Sequence, residues 1–103
     1  MSLELFFDET DSLYNPVVDT ETRKRIHLCV YAYAYELLGE TLVSDHEFDK
    51  LAYSINLKIK TRRPDIDNWF NENFEPHTGQ WIWSHPEKQK LDVIAKRMIK
   101  DKK

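Results

Sequence analysis

Apolar residues recur at helical spacing in several stretches of this 103-residue chain. In the clearest stretch, between residues 48 and 59, they follow one another at intervals of one to four: Phe48, Leu51, Ala52, Ile55 and Ile59. This spacing places them on one face of an α-helix. The chain has only two glycines and four prolines, which leaves little material for hairpin turns. We therefore predict an all-α fold of about four helices in a single domain, residues 1–103.

The first helix is expected to start near residue 20 and to end at a glycine. Asp19 or Thr20 has the side-chain oxygen that caps a helix, and Gly39 can adopt the left-handed conformation that terminates one. Apolar residues at helical steps mark the face that this helix should bury: Ile26, Cys29, Val30, Tyr33 and Leu37.

The second helix is expected to begin at a capping box. Ser44 and Glu47 have the required spacing, in which the serine oxygen accepts from the glutamate N–H and the glutamate accepts from the serine N–H. We expect this helix to run to about Thr61, because the residue before Pro64 avoids helical backbone. The two helices would form a pair over about residues 20–62.

Two more helices are expected in the second half of the chain. Asp65 or Asp67 would cap a short third helix. Ser84 and Glu87 have the spacing of a second capping box, which would precede a basic C-terminal helix over residues 86–101.

Two short extended edges are also predicted. Leu3, Leu5 and Phe7 occupy alternate positions, which fits an extended segment laid across the helices, with a short helix as the alternative. Trp81 and Trp83 alternate within residues 80–83, so one of them is expected to be buried and the other to be partly exposed.

The residues that suggest ligand binding lie where the first helix ends and the second begins. Tyr31 and Tyr35 are four residues apart near the end of the first helix, and Asp45 and Asp49 are four apart at the start of the second, beside Phe48. Residues four apart share a helix face. Aromatic faces with carboxylates suit a flat, partly cationic ring that carries hydroxyl groups.

This segment resembles the small N-terminal helical domain of bacterial NAD-dependent DNA ligases. Tyr35, followed after nine residues by Asp45-His46-Glu47-Phe48-Asp49, is similar to that family's Tyr-His, short loop, Asp-x-Glu-Tyr-Asp pattern. The family uses this domain to hold the nicotinamide mononucleotide half of NAD. The resemblance implies that Tyr35 and Phe48 flank a nicotinamide ring and that Asp45 and Asp49 hold ribose hydroxyls or the amide. NAD or nicotinamide mononucleotide is the ligand it implies.

The chain differs from the family at two positions of the motif. Glu36 stands in place of His, and a carboxylate repels phosphate at close range. Phe48 stands in place of Tyr and keeps the stacking face without the hydroxyl. The chain has no K-x-D-G motif for nucleotidyl transfer, so we expect a non-catalytic protein rather than an enzyme. A short protein of this kind looks most like the ligase-domain-like proteins of bacteriophages.

The charge distribution provides an alternative function. Residues 1–22 carry a net charge of −6 and residues 86–103 carry +4. Charged ends of opposite sign can attract a partner. The alternative is therefore a phage-encoded inhibitor or adaptor that binds a host or phage protein, with Lys96, Arg97 and Lys100 as the partner-binding residues. A DNA-associated accessory factor is a weaker alternative, since it depends on the C-terminal helix alone.

The composition also bears on disulfides, metal sites and membrane insertion. The single cysteine, Cys29, cannot form an internal disulfide and fits a reducing cytoplasm. It falls on the apolar face of the first helix, where a buried inert thiol is expected. No zinc-ligand spacing is present and no stretch approaches the ~20 apolar residues of a membrane span, so we expect neither a metal site nor membrane insertion.

Overall fold

The computed structural model describes residues 15–102, which contain four α-helices and one short 3-10 helix. The α-helices are α1 (Pro16–Leu38), α2 (Asp45–Tyr53), α3 (Pro64–Asn73) and α4 (Lys88–Lys102), and the 3-10 helix covers Gln80–Ser84. No strand occurs within residues 15–102, so the all-α prediction is confirmed. The extended segment predicted at residues 3–7 lies outside the described residues.

Helix α1 begins earlier than Asp19 or Thr20. Its cap is Asn15, whose Oδ1 accepts hydrogen bonds from the N–H groups of the second and third helical residues at 3.1 and 3.3 Å. Pro16 occupies the first helical position, where its fixed φ favours helix and its missing N–H costs nothing. The Asn-Pro pair therefore starts the helix before the predicted caps. Gly39 ends it with φ 67°, as predicted.

Helix α1 is the central element of the fold. It packs against α4, the 3-10 helix and α2, and for this reason it is buried on several sides instead of along one stripe. Between positions 28 and 34 only Tyr31 is not fully buried. Ile26, predicted to face the core, is instead 45% exposed, because the buried face of this part of α1 carries Glu21 and Arg25.

Helix α2 ends at Tyr53, eight residues before the predicted end at Thr61. The chain after it is held by buried charges rather than by helical hydrogen bonds. Glu21 Oε2 accepts from the Asn56 N–H at 3.0 Å. Arg25 Nη2 donates to the carbonyl oxygens of Asn56 and Ile59, both at 2.9 Å. These contacts compete with the continuation of the helix, so the prediction of a helix to Thr61 is wrong.

Helix α3 begins after Arg63, and neither predicted aspartate caps it. Asp65 lies exposed in the first turn. Asp67 is buried and accepts three hydrogen bonds, from Arg25 Nη1 at 2.8 Å, from the Thr61 N–H at 2.8 Å and from Thr61 Oγ1 at 2.6 Å. Asp67 therefore joins α1, α3 and the segment between α2 and α3.

The predicted extended edge over residues 80–83 is a 3-10 helix. Trp81 is buried and Trp83 is 53% exposed, as the alternation indicated. The second predicted capping box does not form, since α4 begins only at Lys88. The Ser84 hydroxyl instead accepts from Trp69 Nε1 at 3.1 Å. The Glu87 N–H donates to His85 Nδ1 at 2.9 Å.

Candidate functional site

A cavity of about 220 Å³ lies between α1, α2 and the turn at residues 77–79. All five residues proposed as ligand contacts line this cavity: Tyr31, Tyr35, Asp45, Phe48 and Asp49. The structure therefore brings together two pairs of residues that lie on different helices. Their role in binding stays a prediction.

The cavity has aromatic walls on both helices. Tyr31 and Tyr35 lie one turn apart on α1, and Tyr35 is 60% exposed. The Tyr31 ring is stacked on His27 with centroids 6.0 Å apart, which supports the tyrosine from the side. Phe48 is half-buried and packs against the core. The Phe48 ring is therefore held by the core, while the Tyr35 ring is exposed and can contact a ligand.

Two carboxylates of the cavity come from the first two turns of α2. Asp45 and Asp49 are both exposed and lie one turn apart. Ser44 and Glu47 fix the start of this helix with the predicted capping box: Ser44 Oγ accepts from the Glu47 N–H at 3.1 Å, and Glu47 Oε1 accepts from the Ser44 N–H at 3.4 Å. The box thus positions the adjacent aspartates at the cavity.

The turn at residues 77–79 is the part of the cavity that the sequence did not indicate. A Cβ atom added to Gly79 would lie 3.6 Å from Ala32 Cβ and 3.6 Å from Phe48 Cζ. The glycine therefore leaves open a space that an ordinary side chain would partly fill. The Thr78-Gly79 pair predicts a turn, but no local signal shows that this turn lies against the helical pair.

Glu36 also lines the cavity, from the side of α1. Its Oε1 accepts a hydrogen bond from Trp83 Nε1 at 3.1 Å, so the exposed tryptophan of the 3-10 helix orients this carboxylate. Together with Asp45 and Asp49 it gives the cavity three carboxylates. No lysine or arginine is among the described residues that line it. Lys102 reaches the rim, where its ammonium donates to the Thr41 carbonyl oxygen at 2.5 Å. The cavity consequently favours a cation over an anion.

The three residues predicted to bind a partner lie on α4. Lys96, Arg97 and Lys100 are all exposed. Lys96 forms an ion pair with Asp92 at 2.9 Å, and hydrogen bonds from Lys96 and Tyr33 lower the pKa of Asp92. The same helix exposes two apolar side chains, Val93 at 67% and Ile94 at 40%. Exposed apolar and basic residues thus occur together on α4.

Within residues 15–102, neither a reactive thiol nor a group of metal ligands is found. Cys29 is only 2% exposed, and burial raises its pKa, which disfavours the nucleophilic thiolate. Within residues 15–102, no group of three or more His, Cys, Asp and Glu side chains is arranged to hold a metal ion. None of the helices in this range is long and apolar enough to cross a membrane.

No family model, curated protein or solved structure matches this chain in the three comparisons made.

Proposed function

We propose that this protein is a non-catalytic binding domain for the nicotinamide-ribose half of a nicotinamide nucleotide. The observation that carries the proposal is the meeting of Tyr35 and Phe48 with Asp45 and Asp49 around one open cavity. The motif that resembles the ligase domain contains these same four residues. The resemblance and the cavity therefore support the same ligand class.

Recognition would use two kinds of contact. The pyridinium ring would lie against the faces of Tyr35 and Phe48, where a positive ring is attracted to the aromatic quadrupole. Asp45 and Asp49 would accept hydrogen bonds from ribose hydroxyls, and such bonds to a charged acceptor are the stronger kind. The cavity, about 220 Å³, is smaller than the roughly 300–1,000 Å³ of sites that enclose drug-sized ligands. It therefore suits one half of a dinucleotide.

Titration calorimetry with NAD, nicotinamide mononucleotide and nicotinamide riboside tests the proposal. We expect dissociation constants of roughly 10 μM to 1 mM, because a small open site buries only part of the ligand. Asp49→Asn keeps the side-chain shape and is expected to weaken binding roughly 5- to 150-fold, equivalent to ~1–3 kcal/mol. Asp65→Asn removes an exposed carboxylate of α3 and serves as the control. Absence of heat for all three ligands at millimolar concentration, on folded protein, would refute the proposal.

Gly79→Ala provides an independent test of the cavity. Gly79 has φ −106°, which alanine also adopts, and the new methyl group would make ordinary van der Waals contacts with Ala32 and Phe48. We expect unchanged or slightly raised stability, by up to ~1 kcal/mol, since alanine reduces the freedom of the unfolded chain. Ligand binding should nevertheless weaken. Unaltered binding by this variant would place the ligand outside the cavity.

A second candidate function is protein binding through α4. It is favoured by the exposed Val93 and Ile94 on a helix that also carries Lys96, Arg97 and Lys100. Reversing these three basic residues to glutamate is expected to change the melting temperature little, because exposed charges contribute little to stability. Capture of a cellular partner should weaken. Binding of duplex or single-stranded DNA that falls steeply with salt would favour the DNA-associated alternative instead.

A further inference from the structure

Three carboxylates surround the cavity between α1 and α2, and they come from two sides. Asp45 and Asp49 enter from α2, and Glu36 enters from α1. No lysine or arginine is among the described residues that line the cavity. A cationic ring gains from this arrangement, whereas each negative charge on a ligand is repelled by all three groups.

Glu36 differs from the two aspartates because a neighbouring side chain orients it. Its Oε1 accepts from Trp83 Nε1 at 3.1 Å, whereas neither Asp45 nor Asp49 forms a hydrogen bond or ion pair with another side chain of residues 15–102. The Glu36 Cγ lies 3.9 Å from the position of a Cβ on Gly79, so this side chain runs along the turn that closes the cavity. The hydrogen bond and the turn therefore both favour a position of the Glu36 carboxylate beside the cavity.

We propose that Glu36 makes the cavity select a phosphate-free pyridinium riboside over its 5′-phosphate. This inference rests on the proposed function and adds the class of ligand and the residue that determines it. The riboside is a cation, whereas the phosphate group gives nicotinamide mononucleotide a net negative charge at neutral pH. The aromatic faces of Tyr35 and Phe48 bind the ring of either ligand, so the carboxylates decide between them.

The test compares nicotinamide riboside with nicotinamide mononucleotide by titration calorimetry on the whole chain. We expect the riboside to bind the wild type at least tenfold more tightly. In Glu36→Gln this preference should narrow at least fivefold, because the amide is neutral while its oxygen can still accept from Trp83 Nε1. Glu72→Gln removes an exposed carboxylate of α3 that does not line the cavity, and should leave the preference unchanged.

Salt dependence of the wild type provides a measurement that needs no variant. Raising the ionic strength from about 20 to 200 mM should reduce the preference, because salt screens the repulsion of the phosphate. Equal affinities for the two ligands in the wild type, or the same preference in Glu36→Gln and wild type, would overturn the inference while leaving the proposed function intact. Absence of binding by either ligand would instead overturn the proposed function and this inference together.

Discussion

Arg25 is expected to be the charged side chain on which the fold most depends. It is 4% exposed and contacts two buried carboxylates, Glu21 Oε2 at 2.9 Å and Asp67 Oδ1 at 2.8 Å. Its Nη2 also donates to the carbonyl oxygens of Asn56 and Ile59. Arg25→Met keeps much of the side-chain volume and removes all of these interactions.

The expected loss of stability follows from the two carboxylates that Arg25→Met deprives of their guanidinium partner. Glu21 and Asp67 would remain as buried carboxylates without their guanidinium, although Lys24 Nζ still lies 3.2 Å from Glu21 Oε1. Removing one partner from a buried ion pair costs ~3–5 kcal/mol. For a domain of this length, ~1 kcal/mol corresponds to about 5 °C in melting temperature, so a decrease of roughly 15–25 °C is expected. Such a loss is a large part of the stability of a small domain, which is ~5–15 kcal/mol.

Arg63→Met is the matched control, because Arg63 also contacts two carboxylates, Asp65 at 2.9 Å and Glu87 at 3.1 Å, but at the surface. Solvent screens these pairs, so a much smaller change is expected. Thermal and urea denaturation, followed by circular dichroism, would compare the two variants. Similar losses in both would refute the reasoning that the buried network, and not the number of ion pairs, holds the segment after α2.

Removal of the two carboxylates gives a second signature. A buried charge that has lost its guanidinium partner opposes folding, because its desolvation is no longer compensated. Adding Glu21→Gln and Asp67→Asn to Arg25→Met should recover part of the loss at pH 7. A triple variant no more stable than Arg25→Met would contradict this account.

Three further predictions concern stability. Ser44→Ala removes the oxygen that accepts the Glu47 N–H and should lower the free energy of unfolding by ~1 kcal/mol in thermal denaturation; an unchanged melting temperature would show that the capping box contributes nothing. Burial lowers the pKa of His85 from its ordinary value of 6.5, so protonation of His85 opposes folding and stability should fall as the pH drops below about 6.5. His85→Gln should therefore flatten the dependence of stability on pH between pH 7 and 5. Equal pH dependence in the variant and the wild type would contradict the role given to His85. Phe70 has 0% exposure and packs among Trp69, Phe74 and Trp81. Phe70→Ala should lower the free energy of unfolding, measured by urea denaturation, by ~3–5 kcal/mol. A loss below ~1 kcal/mol would mean that the core collapses around the missing ring.

Local spacing was enough to predict that the first half contains two helices, but not the start of α1 or the end of α2, and it also predicted five of the residues that line the cavity. The capping box at Ser44 and Glu47 and the left-handed Gly39 are determined by neighbours within a few residues, so they can be read without knowledge of the tertiary fold. Tyr31 with Tyr35, and Asp45 with Asp49, are placed by helical periodicity in the same way. Because a short loop joins the two helices, the end of the first and the start of the second lie close together, and these two pairs of residues with them.

Tertiary structure decided the features that depend on residues distant in sequence. Periodicity favoured a helix through Ile55 and Ile59, but Glu21 and Arg25 bind the backbone of this segment from more than 30 positions away. The turn that carries Gly79 closes the cavity because the 3-10 helix packs on α1, which local signals do not encode. A buried charge must find partners wherever the fold brings them, since leaving it unpaired costs more than a few helical hydrogen bonds provide.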